Sequence, residues 1–260
     1  MPSYEPVEAL VRGLRVLEAV NRLGPCRLAD LQAEQLCNRA TLVRMLETLM
    51  FAGYVHRSAK GNLYAVTPKS RELSSGLSLP SEIARRAEPV LARLQQRCGW
   101  PCDVAICDGT DMVTIANSPK EGRLAFNRPA GWTAPVLASS LGLAYAAYCL
   151  DAERVSILSR LVDAPGEWNA VARDLAAADK LFEDIRARGY AVMDPRWRAA
   201  SAQPDLRTIG VPVLVGGRAV AAMNFIFMRQ VMELEQAVEK LAGPLREAAA
   251  ELGAALEILY

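Results

Sequence analysis

Apolar residues recur every three or four positions along the first part of the chain, which is the spacing of one buried helix face. In the first predicted helix this stripe consists of Val7, Leu10, Leu14, Leu17 and Val20. Gly24-Pro25 ends it, and a second short helix is predicted over 28–35. Asn38 is a good N-cap for a third helix, which ends before Gly53. Three short helices in this order are typical of a helix-turn-helix domain.

The hydrophobic pattern then changes, because apolar and polar residues alternate in the next two short segments. Residues 54–57 and 63–67 flank a polar turn that contains Gly61, so they predict a β-hairpin. A hairpin directly behind a helix-turn-helix is a wing. A further helix is expected from Ser81, as N-cap, to Arg97.

After Gly99 the hydrophobic period changes from 3.6 to 2. Strands are predicted over 103–107, 112–116 and 124–128, and as a hairpin over 207–215 and 219–228. Helices are predicted over 137–150, 152–161, 171–188 and 231–259, and 193–205 reads as a loop. This order indicates an α+β fold with helices packed on a mostly antiparallel sheet. We expect three parts: a winged helix-turn-helix over 1–78, a connecting helix over 79–98 and a second domain over 99–260.

Composition narrows the class of protein. The chain has 260 residues, 52% of them hydrophobic and 23% charged, which excludes wholesale disorder. A formal net charge of +1 argues against binding nucleic acid by bulk charge alone. The charge is uneven, because residues 1–80 hold 10 basic and 7 acidic side chains. That bias suits a small nucleic-acid-binding head on a neutral body.

No targeting or membrane segment is expected. The first residues lack the basic and then apolar order of a signal peptide, which predicts a cytoplasmic protein. The uncharged run 129–150 is interrupted by Gly131 and Pro135, so it predicts a buried helix rather than a membrane span.

The sequence gives little support for a metal site or for a catalytic group that depends on histidine. The six cysteines include no CxxC pair and His56 is the only histidine, so buried core thiols are favoured over a metal site. The single histidine equally weakens Ser-His-Asp, Cys-His and zinc-hydrolase interpretations. We therefore predict no metal, no cofactor and no catalytic residue.

The third helix and its cap Asn38 carry the candidate DNA contacts. If Leu42 points inward, a rotation of 100° per residue turns Ala40, Val43 and Arg44 outward. Arg44 is best placed for a base edge, and Arg39 and Thr41 in the first turn for phosphate. The alternative for Arg44 is a solvated surface arginine.

On the hairpin, Arg57 and Lys60 offer positive charge to the DNA backbone or minor groove, with a solvated turn as the alternative. One such head makes few phosphate contacts, so specific binding requires a dimer.

The ordered motifs resemble a known family. The segments RGLRVL at 12–17, LADL at 28–31, NRATLVRMLETL at 38–49 and AGYV at 52–55 are similar to the DNA-binding head of IclR-type transcriptional regulators. PVLASSLG at 135–142, IRARGY at 185–190 and IGVPV at 209–213 are similar to landmarks of that family's effector domain. WPCDV at 100–104 and RLAFNR at 123–128 look closest to the branch that controls breakdown of aromatic acids, such as hydroxyphenylpropionate-responsive activators.

This resemblance implies a GAF-like effector-binding domain for a small carboxylate, placed between the sheet and the loop that opens the helix near Leu137. The implied ligand residues are Phe126, Ser139, Ser140, Leu141, Thr208, Asn224 and Ile226. A helix start with two hydroxyls favours a carboxylate, and Asn224 and Thr208 add neutral hydrogen bonds. Plain N-capping is the alternative for the two serines. Phe225 suits a ring if it faces the same way, and Arg207 ranks below Thr208 because strand neighbours alternate faces.

The sequence thus predicts a ligand-responsive regulator of a catabolic operon that binds a pseudo-palindromic duplex as a homodimer or tetramer. Contact with RNA polymerase is left open, as are activation or repression and the identity of the effector. The alternative is an enzyme or metabolite-binding module whose N-terminal helices mediate association.

Overall fold

The computed structural model describes residues 5–59, 61–74, 78–119, 130–201 and 205–260. The chain divides into two compact units, residues 1–77 and 78–260. Two expected site residues, Lys60 and Phe126, and the strand expected over 124–128 lie outside the described residues.

The first unit contains three helices, a two-stranded sheet and a terminal 3₁₀ helix. In chain order these are α1 Glu8–Leu23, α2 Leu28–Ala33, α3 Arg39–Phe51, β1 Val55–Arg57, β2 Tyr64–Val66 and the 3₁₀ helix Pro68–Ser74. The inner faces of the helices supply Val20, Leu31, Leu42 and Leu46 to one apolar core. β1 and β2 pair antiparallel, with Val55 opposite Val66. The helix-turn-helix order and the hairpin agree with the sequence pattern.

The second unit is built on one sheet with helices on both faces. Its helices are α4 Leu79–Cys98, α5 Ser140–Tyr148, α6 Asp151–Leu161, α7 Leu175–Arg188, α8 Pro195–Ala200 and α9 Leu234–Leu256. Its strands are β3 Cys102–Asp108, β4 Asp111–Asn117, β5 Thr133–Pro135, β6 Ala191–Val192, β7 Leu206–Val215 and β8 Arg218–Met228. A 3₁₀ helix, Glu167–Arg173, joins α6 to α7.

The six strands pair antiparallel in the order β5-β4-β3-β8-β7-β6. One face packs Ile209, Phe225 and Phe227 against α4 and α9. The opposite face packs Ala105 and Ala222 against α5. Because both faces of β8 are covered, residues 221–227 are all buried, and all of them except Asn224 are apolar. This confirms the α+β architecture.

Two local expectations were wrong, and one that was left open is decided. The fourth helix begins at Leu79 with Ser78 as N-cap, so Ser81 lies inside its first turn, because Pro80 is compatible with a helix start. The expected loop over 193–205 contains helix α8, which Asp194 caps by accepting a hydrogen bond from the Arg196 N–H at 2.7 Å. The face of Phe225 was left open by the sequence, and the residue lies on the α4/α9 face of the sheet, opposite the face that carries Thr208 and Ile226.

Among the helices that the structure describes, none combines the length and apolar character needed to cross a bilayer.

Candidate functional site

Helix α3 presents a polar face to solvent. Asn38 caps it, with Oδ1 accepting from the Thr41 backbone N–H at 2.9 Å. Arg39 and Arg44 are exposed, whereas Thr41 and Val43 are half-buried. Ala40 is also exposed. The N-terminal half of this helix therefore offers two guanidinium groups and small neighbours that allow close approach to a flat or grooved partner.

A concave surface of approximately 430 Å³ lies between α2, α3 and the hairpin. Three arginines from three different elements line it: Arg27 before α2, Arg39 at the start of α3 and Arg57 on β1. Its complete lining is Arg27, Leu28, Ala29, Gln32, Arg39, Arg57, Gly61, Asn62 and Tyr64. No acidic residue belongs to this set. We call these nine residues the basic concavity.

The basic concavity has the chemistry of a phosphate site. The planar guanidinium group donates paired hydrogen bonds that match phosphate oxygens. The Arg57 guanidinium lies 5.4 Å from the centre of the Tyr64 ring, a cation–π contact that holds it at the concavity. Arg27 and Gln32 were missed in the sequence, since they join Arg39 and Arg57 only through tertiary packing. The only indication in the sequence was that Arg27 directly precedes α2, since helix N-termini are common phosphate-binding positions.

A second polar cluster lies between α5 and the sheet. The Ser140 hydroxyl donates to Thr208 Oγ1 at 2.8 Å, which joins the start of α5 to β7. Thr208 is opposite Ile226, and Asn224 lies two residues further along the same face of β8. Ser140, Thr208, Asn224 and Ile226 are each at most 2% exposed. The fold thus brings these four expected ligand residues together.

The remaining expected residues of this cluster have structural contacts. Ser139 caps α5, because its Oγ accepts from the Gly142 backbone N–H at 3.0 Å. Leu141 is buried in the apolar core on the α5 side of the sheet. Arg207 is opposite Phe227, so it belongs to the strand face away from Thr208. Burial lowers the Arg207 pKa, and the nearby cations Arg198 and Arg229 lower it further.

Three polar residues of this face were missed in the sequence. Asp103 is 3% exposed, and its Oδ1 accepts a hydrogen bond from Asn117 Nδ2 at 2.8 Å. The Asp103 backbone N–H donates to Asn224 Oδ1 at 3.0 Å. Thr114 is fully buried, and its hydroxyl has no hydrogen-bond partner among the described residues. A buried hydroxyl without a partner is costly unless a water or ligand satisfies it.

We call Asp103, Thr114, Asn117, Ser140, Thr208 and Asn224 the polar face. These side chains offer neutral donors and acceptors together with one carboxylate. The register explains why they meet: Asp103 is opposite both Asn117 and Asn224 in neighbouring strand pairs, and a bulge between Val104 and Ala105 returns Thr114 to the same side. The arrangement can hold a small polar molecule against an otherwise apolar interior.

Close backbone packing fixes α5 over the polar face. A Cβ on Gly210 would lie 2.4 Å from the Ser140 carbonyl oxygen. We expect Gly210→Ala to displace the start of α5 and to destabilise the protein by about 1–3 kcal/mol. Thermal unfolding measures this as a Tm lower by a few degrees.

Gly243→Ala is the matched control, because no atom lies within 4 Å of its added Cβ and it lies inside helix α9. This variant should be stabilised by up to about 1 kcal/mol, since alanine favours helices. Equal Tm values for the two variants would contradict the close-packing argument.

Three cysteines of the second unit are held as unreactive thiols by burial. Burial raises the pKa of Cys102 and of Cys107 to about 12, so both thiols are protonated at neutral pH. Burial likewise raises the pKa of Cys149 to about 11. Within the described ranges, no group of three or more His, Cys, Asp or Glu side chains is arranged to hold a metal ion.

Two family models match the chain. Residues 9–59 match the IclR helix-turn-helix domain, and residues 79–254 match the bacterial transcriptional regulator IclR C-terminal domain. A curated relative, the Pca regulon regulatory protein of Pseudomonas putida, is 26% identical over 219 residues, which cover 83% of this chain and 72% of the relative.

Solved structures share the fold over nearly the whole chain. A transcriptional regulator from Rhodococcus sp. RHA1 is 27% identical with a TM-score of 0.56, covering 97% of this chain and 99% of that one. An IclR homolog from Microbacterium hydrocarbonoxydans, solved in complex with 4-hydroxybenzoate, is 22% identical with a TM-score of 0.54, covering 96% and 99%.

Proposed function

The chain belongs to the IclR family of bacterial transcriptional regulators, and from this premise we propose that it controls a catabolic operon by binding an operator through α3 and a small carboxylate at the polar face. Membership in the family favours a regulator over an enzyme with a helical association domain. The basic concavity beside the exposed start of α3 is the observation that carries the proposal.

In this assignment α3 enters the major groove. Arg44 reads a base edge, for which guanine O6 and N7 are the usual bidentate partners of arginine. Asn38, Ala40, Thr41 and Val43 line the approach, and the exposed Ala40 leaves room for base edges.

The basic concavity receives the DNA backbone. Arg27, Arg39 and Arg57 surround one concave surface, so their combined charge favours a phosphate group. Lys60, proposed from the sequence as a further phosphate contact, belongs to the same set. Contacts of this type set the position of the head on the duplex and carry no sequence information themselves.

The polar face is assigned to the effector, whose carboxylate we place at Ser140 and Thr208; Asp103, the one carboxylate of this face, accepts a hydrogen bond from Asn117 instead. Ser140 and Thr208 offer hydroxyls, Asn224 an amide, and Thr114 a hydroxyl without a partner in the described structure. Phe126, Ser139, Leu141 and Ile226 complete the set proposed from the sequence. The solved IclR homolog that was crystallised with 4-hydroxybenzoate favours an aromatic carboxylic acid.

Ligand and operator are linked through two states of the protein. A ligand that prefers one state shifts operator affinity by its differential binding energy, for which about 1–3 kcal/mol is typical. The same coupling predicts that operator DNA changes the affinity for the ligand by the same factor.

We further assign α1 to the dimer contact. Its apolar stripe continues onto the surface of the first unit, where Val7, Leu10 and Leu14 are 68%, 61% and 50% exposed. Such a stripe is typical of a helix that packs against a partner. A two-fold dimer matches a pseudo-palindromic operator.

Leu10→Asp is expected to lower dimer affinity by at least about tenfold, because it places a charge in an apolar contact. Analytical ultracentrifugation measures the dimer directly. Val155→Asp is the control, since Val155 is 65% exposed on α6 of the second unit, which carries no residue of the proposed contact. Identical dissociation constants for both variants would contradict the assignment.

The function itself is tested by selection from a random pool of duplex DNA with the purified full-length protein. We expect recovery of one sequence with two inverted half-sites separated by about one helical turn. Recovery of no enriched duplex at low and moderate salt would contradict operator binding.

A further inference from the structure

The second unit contains a cavity of approximately 540 Å³ that the polar face does not line. It lies beside the start of α5, the 3₁₀ helix Glu167–Arg173, α7 and α8. Ser140, Thr208 and Asn224 are all absent from its lining. The volume is that of a site for a small organic molecule.

The floor of this cavity is apolar. Leu137, Leu143 and Leu181 line it, and Trp168 forms one wall. The indole ring is held against Gly166, where a Cβ would lie 2.5 Å from Trp168 Cε2. An aromatic wall with a leucine floor favours a flat apolar group.

The rim of the cavity is positively charged. Arg188, Arg196 and Arg198 line it with a single acid, Asp194. Arg196 is paired with Asp194 at 2.7 Å. Arg188 donates from Nε to the Tyr190 carbonyl at 2.7 Å and lies over the Tyr190 ring. Two positive charges of the rim are therefore left without an acidic partner in the lining.

Arg198 is the side chain best placed to bind an anion. It is half-buried, and its guanidinium forms no hydrogen bond or ion pair with any residue in the part of the chain that the structure describes. Arg207 adds a positive charge near Arg198, and Arg207 itself is close to one further cation, Arg229, and to two acids, Asp205 and Glu233. A half-buried guanidinium whose donors are not used within the described structure is stabilised by a bound anion.

We propose that this cavity is a second small-molecule site, which binds a compound with one ring-sized apolar body and one carboxylate. The body lies against Leu143 and Trp168, and the carboxylate accepts hydrogen bonds from Arg198. The proposal stands apart from the proposed function, because it uses no residue of the polar face.

The cavity is also tied to α5 through the backbone. The Asp194 N–H donates to the Ala138 carbonyl at 2.8 Å, immediately before the Ser139 cap. Asp194 in turn caps α8, the helix that carries Arg196 and Arg198. The site is thus made of two segments that are already hydrogen-bonded to each other, which fixes the start of α8, the helix that carries Arg198.

Isothermal titration of the full-length protein with 3-phenylpropanoate tests the site. The titration is made in a Ser140→Ala background, which weakens binding at the polar face. There we expect Arg198→Gln to weaken binding by about tenfold or more, because a charged hydrogen-bond donor is lost. Arg160→Gln, an exposed arginine on α6, should leave the dissociation constant unchanged. The uncharged 3-phenylpropanamide should bind the Ser140→Ala protein more weakly than the acid does. Its dissociation constant should be the same for the Arg198→Gln and Arg160→Gln variants in that background.

Trp168 supplies a second readout. Saturating 3-phenylpropanoate should change tryptophan fluorescence in the Ser140→Ala protein, and the change should disappear in Ser140→Ala with Trp168→Phe. Equal affinities of the Arg198→Gln and Arg160→Gln proteins, or no binding at about 10 mM, would overturn the second site. Operator binding is measured on the same samples, so failure of the second site with intact DNA binding leaves the proposed function standing.

Discussion

Arg44→Ala is expected to lower the affinity for the selected operator at least about 30-fold while leaving the fold intact. Arg44 is exposed on the solvent face of α3, and the buried residues of that helix are Leu42 and Leu46. The substitution therefore removes no core contact. Each half-site loses one base contact, worth about 1–3 kcal/mol, and a dimer loses two. Fluorescence anisotropy with a labelled operator measures the change, and thermal unfolding checks the fold.

Two further variants separate base reading from backbone binding. Arg57→Ala should weaken binding to all duplexes alike. The slope of log K against log salt concentration should fall in magnitude by about one for each copy of the protein, because one phosphate contact is lost. Arg160→Ala, in the second unit, should change neither quantity. If Arg44→Ala binds operator and random duplex as the unaltered protein does, α3 is not the reading element.

Ser140→Ala is expected to raise the effector concentration needed for half-response by about tenfold or more, with operator affinity in the absence of effector unchanged. The hydroxyl of Ser140 is buried with Thr208 at the proposed site, and a lost hydrogen bond to a charged ligand costs about 1.5–3 kcal/mol. The effector used is the aromatic carboxylate that gives the largest rise in Tm in a screen that includes benzoate and 4-hydroxybenzoate.

Thr114→Val is the sharper companion variant. The Thr114 hydroxyl has no partner in the described part of the fold, and valine has nearly the same shape. Protein stability should therefore be equal or higher, whereas effector affinity falls. Ser159→Ala, on the exposed side of α6, is the control for serine removal. A normal effector response in both Ser140→Ala and Thr114→Val would place the ligand elsewhere.

Local features of the fold follow from short-range chemistry, which the sequence displays directly. The Asn38 cap, the inward stripe of Leu42 and Leu46, and the Gly61 turn all depend on a few neighbouring residues. Helix α8 was missed although Asp194 and Pro195 are a typical helix start. The segment was read as a loop because its apolar residues show no clear period.

Features that depend on strand register could not be predicted. Asp103 joins the polar face only because β3 lies between β4 and β8, and Thr114 only because a bulge shifts the pairing. The neighbours of β3 are distant in sequence, so no local pattern gives them. Arg27 is a similar case, since it meets Arg39 and Arg57 only after the helices pack.

The Ser140–Thr208 pair lies between these extremes. Each residue was expected at the site from the resemblance, but the hydrogen bond between them requires α5 to approach β7 closely. Gly210 permits that approach because it has no Cβ, but the sequence alone does not show that its neighbour across the gap is the Ser140 backbone.

The insertion of α3 into the major groove is the central claim, and guanine N7 methylation interference on the selected operator tests it most directly. For the unaltered protein we expect methylation to block binding at guanines in two major-groove segments about one helical turn apart, and the interference at one guanine in each half-site to be absent with Arg44→Ala. Interference that is absent from the major groove, or a pattern unchanged by Arg44→Ala, would contradict the account.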